Sequence, residues 1–161
     1  MSLIDREKVH DLKEMAGTAP QRKKSMRGGF REGADPFWEW FRSNTVEIAE
    51  YDGSGFLYVT LLVYLEQRRG VDLLNLGMKE VSNYLSEKRP HLMILITPEE
   101  ATRLAMKLEP SKFSVEDVMR FYEEFDEQES PPATNIVEAV RMLYDGMQKV
   151  GPGQVMIFKV G

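Results

Sequence analysis

Residues 56–65 are the feature that most constrains how this chain can fold. Thr60 is the one residue in the run that is neither aliphatic nor aromatic. A helix needs roughly twenty apolar residues to cross a bilayer, so a run of this length must be sheltered by the protein's own folded mass. We therefore expect residues 56–65 to lie buried at the centre of the hydrophobic core.

The secondary structure of this run has two possible interpretations. Residues 66–70 continue it as Glu-Gln-Arg-Arg-Gly, and basic residues followed by glycine are typical of a helix C-terminus. Asp52-Gly53 just before the run is instead a hairpin signal, which would make residues 56–61 a strand. The β-branched residues in the run also disfavour a helix. The basic end favours the helix, and the strand stays open as the alternative.

The composition indicates one folded domain spanning residues 1–161. Apolar residues make up 42% of the chain and charged residues 29%, which is typical of a globular protein with a real core. Cysteine is absent, which excludes disulfides and cysteine-ligated metals and fits a reducing compartment. Residues 1–15 contain no apolar signal-peptide core. We therefore expect a cytoplasmic protein.

Hydrophobic periodicity predicts an α+β fold, with five or six helices packed on a small sheet of about three strands. Strands are expected at residues 45–51, 92–96 and 155–158, the last pairing with one of the other two. Helices are expected at residues 4–15 and after the N-terminal capping residues that precede the other helical stripes, namely Asp35, Asp72, Thr97, Ser114 and Thr134.

Charge is distributed unevenly along the chain, although the net charge is only −5. Residues 18–34 contain several glycines and are expected to form a flexible basic loop. Its basic residues are Arg22, Lys23, Lys24, Arg27 and Arg31. Residues 116–129 are strongly acidic, at a helix end where the macrodipole disfavours acids. We hypothesise that the basic loop either packs against this acidic segment or binds an external anion.

Aromatic residues cluster in the sequence Phe-Trp-Glu-Trp-Phe at residues 37–41. On a helix, Phe37, Trp40 and Phe41 share one face that suits a core, whereas Trp38 points about a quarter-turn away. An exposed Trp beside a basic loop can anchor a partner. Trp38 therefore joins the basic residues as a candidate for partner binding.

Motifs for catalysis are missing from the sequence. Ser54 lies in a glycine-rich turn without the order of a nucleophile elbow, and neither His10 nor His91 has an acid at metal-ligand spacing. We therefore expect no metal, no cofactor and no catalytic residue. An alternative pocket could form only in three dimensions, from acids near the central run and arginines at its end. These residues are Glu47, Glu50, Asp52, Arg68 and Arg69.

These observations favour a non-enzymatic interaction or regulatory domain, of the inhibitor or neutralising-partner type, whose partner is another protein. Nucleic acid is an unlikely partner because no aromatic residues alternate with the basic ones, and no membrane partner is expected. The alternative is a small-molecule-binding domain, or a carboxylate-dependent enzyme that uses the three-dimensional pocket.

Overall fold

Six strands occur in the computed structural model, which describes residues 1–19, 22–24, 30–32, 35–50, 55–125 and 130–161. Four of them form one antiparallel sheet in the order β4-β1-β6-β5, and β2 pairs with β3 separately. All three expected strands occur, although β4 covers only residues 45–47 of the expected 45–51, and β6 pairs with β5 as anticipated. The strands are β1 (Ser2–Asp5), β2 (Arg22–Lys24), β3 (Phe30–Glu32), β4 (Thr45–Glu47), β5 (Leu92–Ile96) and β6 (Gln154–Val160).

Seven α-helices pack on the four-stranded sheet within the described residues, which confirms the α+β class with one helix and one strand more than expected. Short 3-10 turns at Arg6–Lys8 and Pro110–Lys112 complete the regular structure. The helices are α1 (Val9–Ala16), α2 (Pro36–Asn44), α3 (Gly55–Arg69), α4 (Lys79–Lys88), α5 (Pro98–Lys107), α6 (Val115–Phe125) and α7 (Ala133–Gln148).

Helices cover both faces of the sheet, so the domain has two hydrophobic cores. Along β6, Val155 and Ile157 face the core formed with α1, α2 and α4. The alternate residues Met156 and Phe158 face the larger core formed with α3, α5, α6 and α7. This two-sided burial explains why β5 and β6 are continuous apolar runs without polar alternation.

The central run is helical, as its basic end indicated, and the alternative of a strand at residues 56–61 is wrong. Leu57, Leu61 and Leu65 are at most 2% exposed and pack into the larger core. The expectation that the whole run is buried is wrong on its other face, where Phe56 is 50% and Val59 56% exposed. The reason is that α3 lies on the outside of the helical layer and covers the core with one face only.

The two edge strands of the sheet, β5 and β4, are protected from further strand pairing in different ways. On β5, the Met93 N–H donates to Ser86 Oγ at 2.9 Å and the Leu95 N–H donates to Ser82 Oγ at 3.0 Å. Helix α4 therefore closes this edge with two serine hydroxyls one turn apart, which satisfies main-chain donors that an edge strand leaves unpaired. The opposite edge strand, β4, is only three residues long, and its Val46 is 65% exposed.

Several local predictions can be compared directly with the structure. Thr97 and Glu100 form the reciprocal capping box of α5, and Ser114 Oγ accepts the Asp117 N–H at the start of α6. Thr134 does not cap α7, which begins at Ala133 after Pro132. Asp72 caps a turn, and α4 starts seven residues later. Residues 4–5 of the predicted helix 4–15 instead belong to β1, and the helix α1 covers Val9–Ala16.

Candidate interaction surface

The basic segment contains two paired strands, β2 and β3, in antiparallel register. Arg22 pairs with Glu32, Lys23 with Arg31 and Lys24 with Phe30. The register thus pairs two basic positions, Lys23 and Arg31. Arg27 lies outside the described residues, and the flexibility expected for residues 18–34 stays a prediction.

Arg89 joins the two ends of the segment that contains this strand pair. Its NH1 donates to Asp35 Oδ2 at 2.7 Å, and its NH2 donates to the carbonyl oxygens of Met15 at 3.0 Å and Thr18 at 2.9 Å. The guanidinium lies 4.3 Å from the centroid of the Phe37 ring. Arg89 is only 6% exposed. Since Thr18 and Asp35 flank residues 19–34, we call this arrangement the Arg89 clamp.

Trp38 lies beside the clamp and is partly buried, so it remains available as an anchor. Its ring packs edge-to-face on Phe37 and Phe41, with centroid distances of 4.7 and 5.6 Å. His91 packs on it at 5.2 Å, and Lys159 Nζ lies 5.2 Å from the Trp38 centroid. The ring is thus held on several sides and carries a cation over its surface.

Histidine contributes little charge to this surface. Burial lowers the pKa of His91, the nearby Lys159 ammonium lowers it further, and a backbone hydrogen bond with Gly161 opposes both effects. An imidazole whose pKa is below its usual value is neutral at physiological pH. The positive charge next to Trp38 therefore comes from Lys159.

A cavity of about 270 Å³ opens next to Lys159. Glu47 and Glu50, two acids of the predicted alternative pocket, line this cavity together with Lys159. Asp52 lies outside the described residues. Three aromatic side chains, Phe41, Tyr58 and Phe158, also line it. Because Lys159 lies beside the Trp38 ring and also lines the cavity, Trp38 is adjacent to the cavity with Glu47 and Glu50.

Arg68 and Arg69 do not belong to this cavity, because both turn toward α6. The Arg68 NH2 lies 2.6 Å from Glu124 Oε2, and the Arg69 NH2 donates to Asp117 Oδ2 at 3.0 Å. Each of these carboxylates belongs to the acidic segment, for which the basic loop was the hypothesised partner. Within the described residues, arginines of α3 take that role.

Tyr64 completes the contact between α3 and α6. Its hydroxyl donates to Asp117 Oδ2 at 2.5 Å, the same oxygen that Arg69 binds. Burial raises the pKa of Tyr64 to about 12, and the hydrogen bond to Asp117 contributes to the increase. The shared carboxylate oxygen makes this a small internal network rather than an open site.

Arg89 and Lys159 are functional candidates that the sequence did not reveal. Arg89 precedes Pro90 at a helix end, where a basic residue is expected for local reasons. Lys159 is the charged position in the apolar strand β6, and this interruption was the available signal. Both depend on contacts between residues more than fifty positions apart.

The described residues contain no group of three or more histidine, aspartate or glutamate side chains that could hold a metal ion. None of the helices in the described ranges is both long and apolar enough to span a membrane. Comparison of the chain with protein families, with curated proteins and with solved structures finds no match to any of them.

Proposed function

We propose that the protein is a cytoplasmic, non-enzymatic interaction or regulatory domain that binds an acidic segment of another protein. The binding surface consists of the β2–β3 pair, Trp38 and Lys159. The Arg89 clamp is the observation that carries this proposal, because it joins the two ends of the basic segment to one buried group.

The energetics of the Arg89 clamp support a role in holding the basic segment in position for a partner. A buried charge costs several kcal/mol in lost hydration unless it is fully bonded. Arg89 offsets part of that cost through Asp35 and two main-chain carbonyls at the base of the segment, while its buried Nε has no hydrogen-bond partner among the described residues. These bonds fix the positions of Thr18 and Asp35, which flank residues 19–34. A fixed base lowers the entropy that the basic segment loses when a partner binds.

The charge pattern supports an acidic partner. The segment carries five basic residues in a chain of net charge −5. Lys23 pairs with Arg31 in the strand register, so two basic positions are paired within the segment. A concentration of positive charge of this kind attracts an acidic partner. Trp38 supplies an aromatic anchor of the kind that dominates protein interfaces.

Fluorescence tests the proposal directly, because the chain has two tryptophans. The variant Trp40→Phe leaves Trp38 as the single reporter, and the probe is a synthetic peptide that alternates glutamate with leucine. We expect the peptide to change Trp38 emission and the further double change Lys23→Glu and Arg31→Glu to weaken binding at least tenfold.

The matched control changes two exposed arginines on the opposite face of the sheet, Arg103→Glu on α5 and Arg141→Glu on α7. This control changes the net charge by the same amount as the double change at Lys23 and Arg31. It therefore distinguishes binding at the proposed surface from general electrostatic attraction between the protein and the acidic peptide. The proposal fails if the peptide does not bind or if both double variants weaken binding equally. It also fails if single-stranded RNA binds more tightly than the peptide at about 0.15 M salt.

The cavity beside Lys159 favours a second candidate, a small-molecule site. The two carboxylates and three aromatic side chains of the cavity suit a ligand that has an amine and an apolar body. Thermal stabilisation by a panel of aromatic amines and amino acids tests this function. A ligand that raises the Tm of the wild type, but not that of Glu47→Gln with Glu50→Gln, would favour it over the protein-binding surface.

A further inference from the structure

The outer face of α3 is apolar over about two turns, from Phe56 to Val63. Phe56 is 50% and Val59 56% exposed, and Val63 on the same face is half-buried. At 100° per residue these three positions lie within about 60° of each other around the helix axis. Surface helices normally turn polar residues outward, and a helix that is apolar all round is covered on every side.

We propose that this face is the contact between two copies of the chain, with the two α3 helices antiparallel across a two-fold axis between Val59 and Val63. A two-fold contact uses the same patch on both copies. In this register Val59 of each copy packs on Val63 of the other. Phe56 of each copy then lies near Glu66 of the other.

Charge complementarity favours a second copy of the chain as the partner and an antiparallel direction for the two α3 helices. Glu66 lies on the same face as Val59, one turn beyond Val63, and forms no ion pair among the described residues. The first turn of α3 carries no acidic side chain, although a helix N-terminus attracts negative charge. Antiparallel packing brings each Glu66 to the other copy's helix N-terminus. Parallel packing would instead set the two Glu66 carboxylates side by side.

The basic residues at the end of α3 do not disturb this arrangement. Arg68 is paired with Glu124 and Arg69 with Asp117, both on α6. Their charges are therefore held on the inner side of the helix. Trp38 of the proposed partner surface packs on the core on the opposite face of the sheet from α3. Tyr58 of α3 lines the cavity beside Lys159, so the two surfaces approach each other there.

Sedimentation velocity from about 1 to about 500 µM tests the contact. We expect the wild type to shift from monomer to dimer within this range and Val59→Glu to raise the dimer dissociation constant at least a hundredfold. Met106→Glu is the matched control, since Met106 is 64% exposed on α5 and lies outside the contact. A wild type that stays monomeric, or a Val59→Glu dimer as tight as the wild type, overturns the proposal.

The direction of the helices has its own test. Removing one charge per copy with Glu66→Gln weakens an antiparallel dimer by roughly threefold to tenfold, whereas it strengthens a parallel one. The absence of cysteine also permits single labels. We expect a short bismaleimide to cross-link a mixture of the Val59→Cys and Val63→Cys variants more efficiently than it cross-links either variant alone. More efficient cross-linking of a single variant would exclude the antiparallel register.

Discussion

Arg89 and Arg69 are built into the molecule in the same way but in different surroundings. Each guanidinium stacks on a phenylalanine ring, at 4.3 Å from Phe37 and 4.5 Å from Phe113. Each also binds one carboxylate, at 2.7 and 3.0 Å, and at least one main-chain carbonyl. The contacts are thus nearly equivalent, and the two sites differ mainly in their access to water.

The difference in burial decides how much each arginine contributes to stability. The Arg89 side chain is 4% exposed, whereas that of Arg69 is 25% exposed and its partner Asp117 31%. Water can replace lost bonds at the exposed site but not at the buried one. The comparison shows that a list of contacts does not rank two ion pairs until their burial is known.

The largest expected effect is at the buried site. Arg89→Ala leaves Asp35 and two carbonyls without their partner, so we expect the free energy of unfolding to fall by about 3–5 kcal/mol. Urea unfolding followed by circular dichroism measures the change. Arg89→Lys is the control, because it keeps the charge but cannot reach three acceptors in the same geometry. A loss below about 1 kcal/mol would contradict the clamp.

The equivalent change at the exposed site should cost less. For Arg69→Ala we expect a loss of about 1–2 kcal/mol, since Asp117 keeps its hydrogen bond from Tyr64 and gains access to water. The same urea experiment gives the value. If Arg69→Ala and Arg89→Ala cost the same, burial does not explain the difference between the two sites.

Alkaline pH should act on the α3–α6 contact through Tyr64. Its pKa is about 12 in the folded protein and 10.0 in the unfolded chain. The folded state therefore holds this proton more tightly, so the stabilisation is complete below pH 10 and is lost as the pH rises toward 12. We expect Tyr64→Phe to flatten the fall in unfolding free energy over this range. An unchanged slope in the variant would show that Tyr64 is not responsible.

The smallest effect is expected for Arg68→Ala. The Arg68 side chain is 30% exposed and that of its partner Glu124 54% exposed, and exposed ion pairs are weak and screened by salt. We expect the urea midpoint to stay within experimental error of the wild type at high salt. A clear loss there would mean that stacking on Phe121, not charge, holds the arginine.

Sequence patterns predicted the features that have local causes. The capping box at Thr97 and the apolar strand Leu92–Ile96 depend on neighbouring residues, and both are confirmed. The helical nature of residues 56–65 followed from the basic residues at its end. The α+β class follows from such elements taken together, because each pattern needs little information from the rest of the chain.

Features created by long-range contacts could not be predicted. β1 is too short to show a period and becomes a strand because β4 and β6 bind it on both sides. Arg68 and Arg69 were assigned to a pocket with Glu47 because they are near in sequence, but the helix turns them toward α6. The role of Arg89 depends on Thr18 and Asp35, which are distant in the chain.

The position of β6 also affects how the sheet can form during synthesis. β6 lies between β1 and β5, so neither strand finds this partner until residues 154–160 have left the ribosome. The outer edge of β5 can form its hydrogen bonds earlier, because Ser82 and Ser86 precede β5 in the chain. Until then, β1 and β5 each have an unpaired inner edge in the nascent domain. Both edges become paired in one step, when β6 inserts between them.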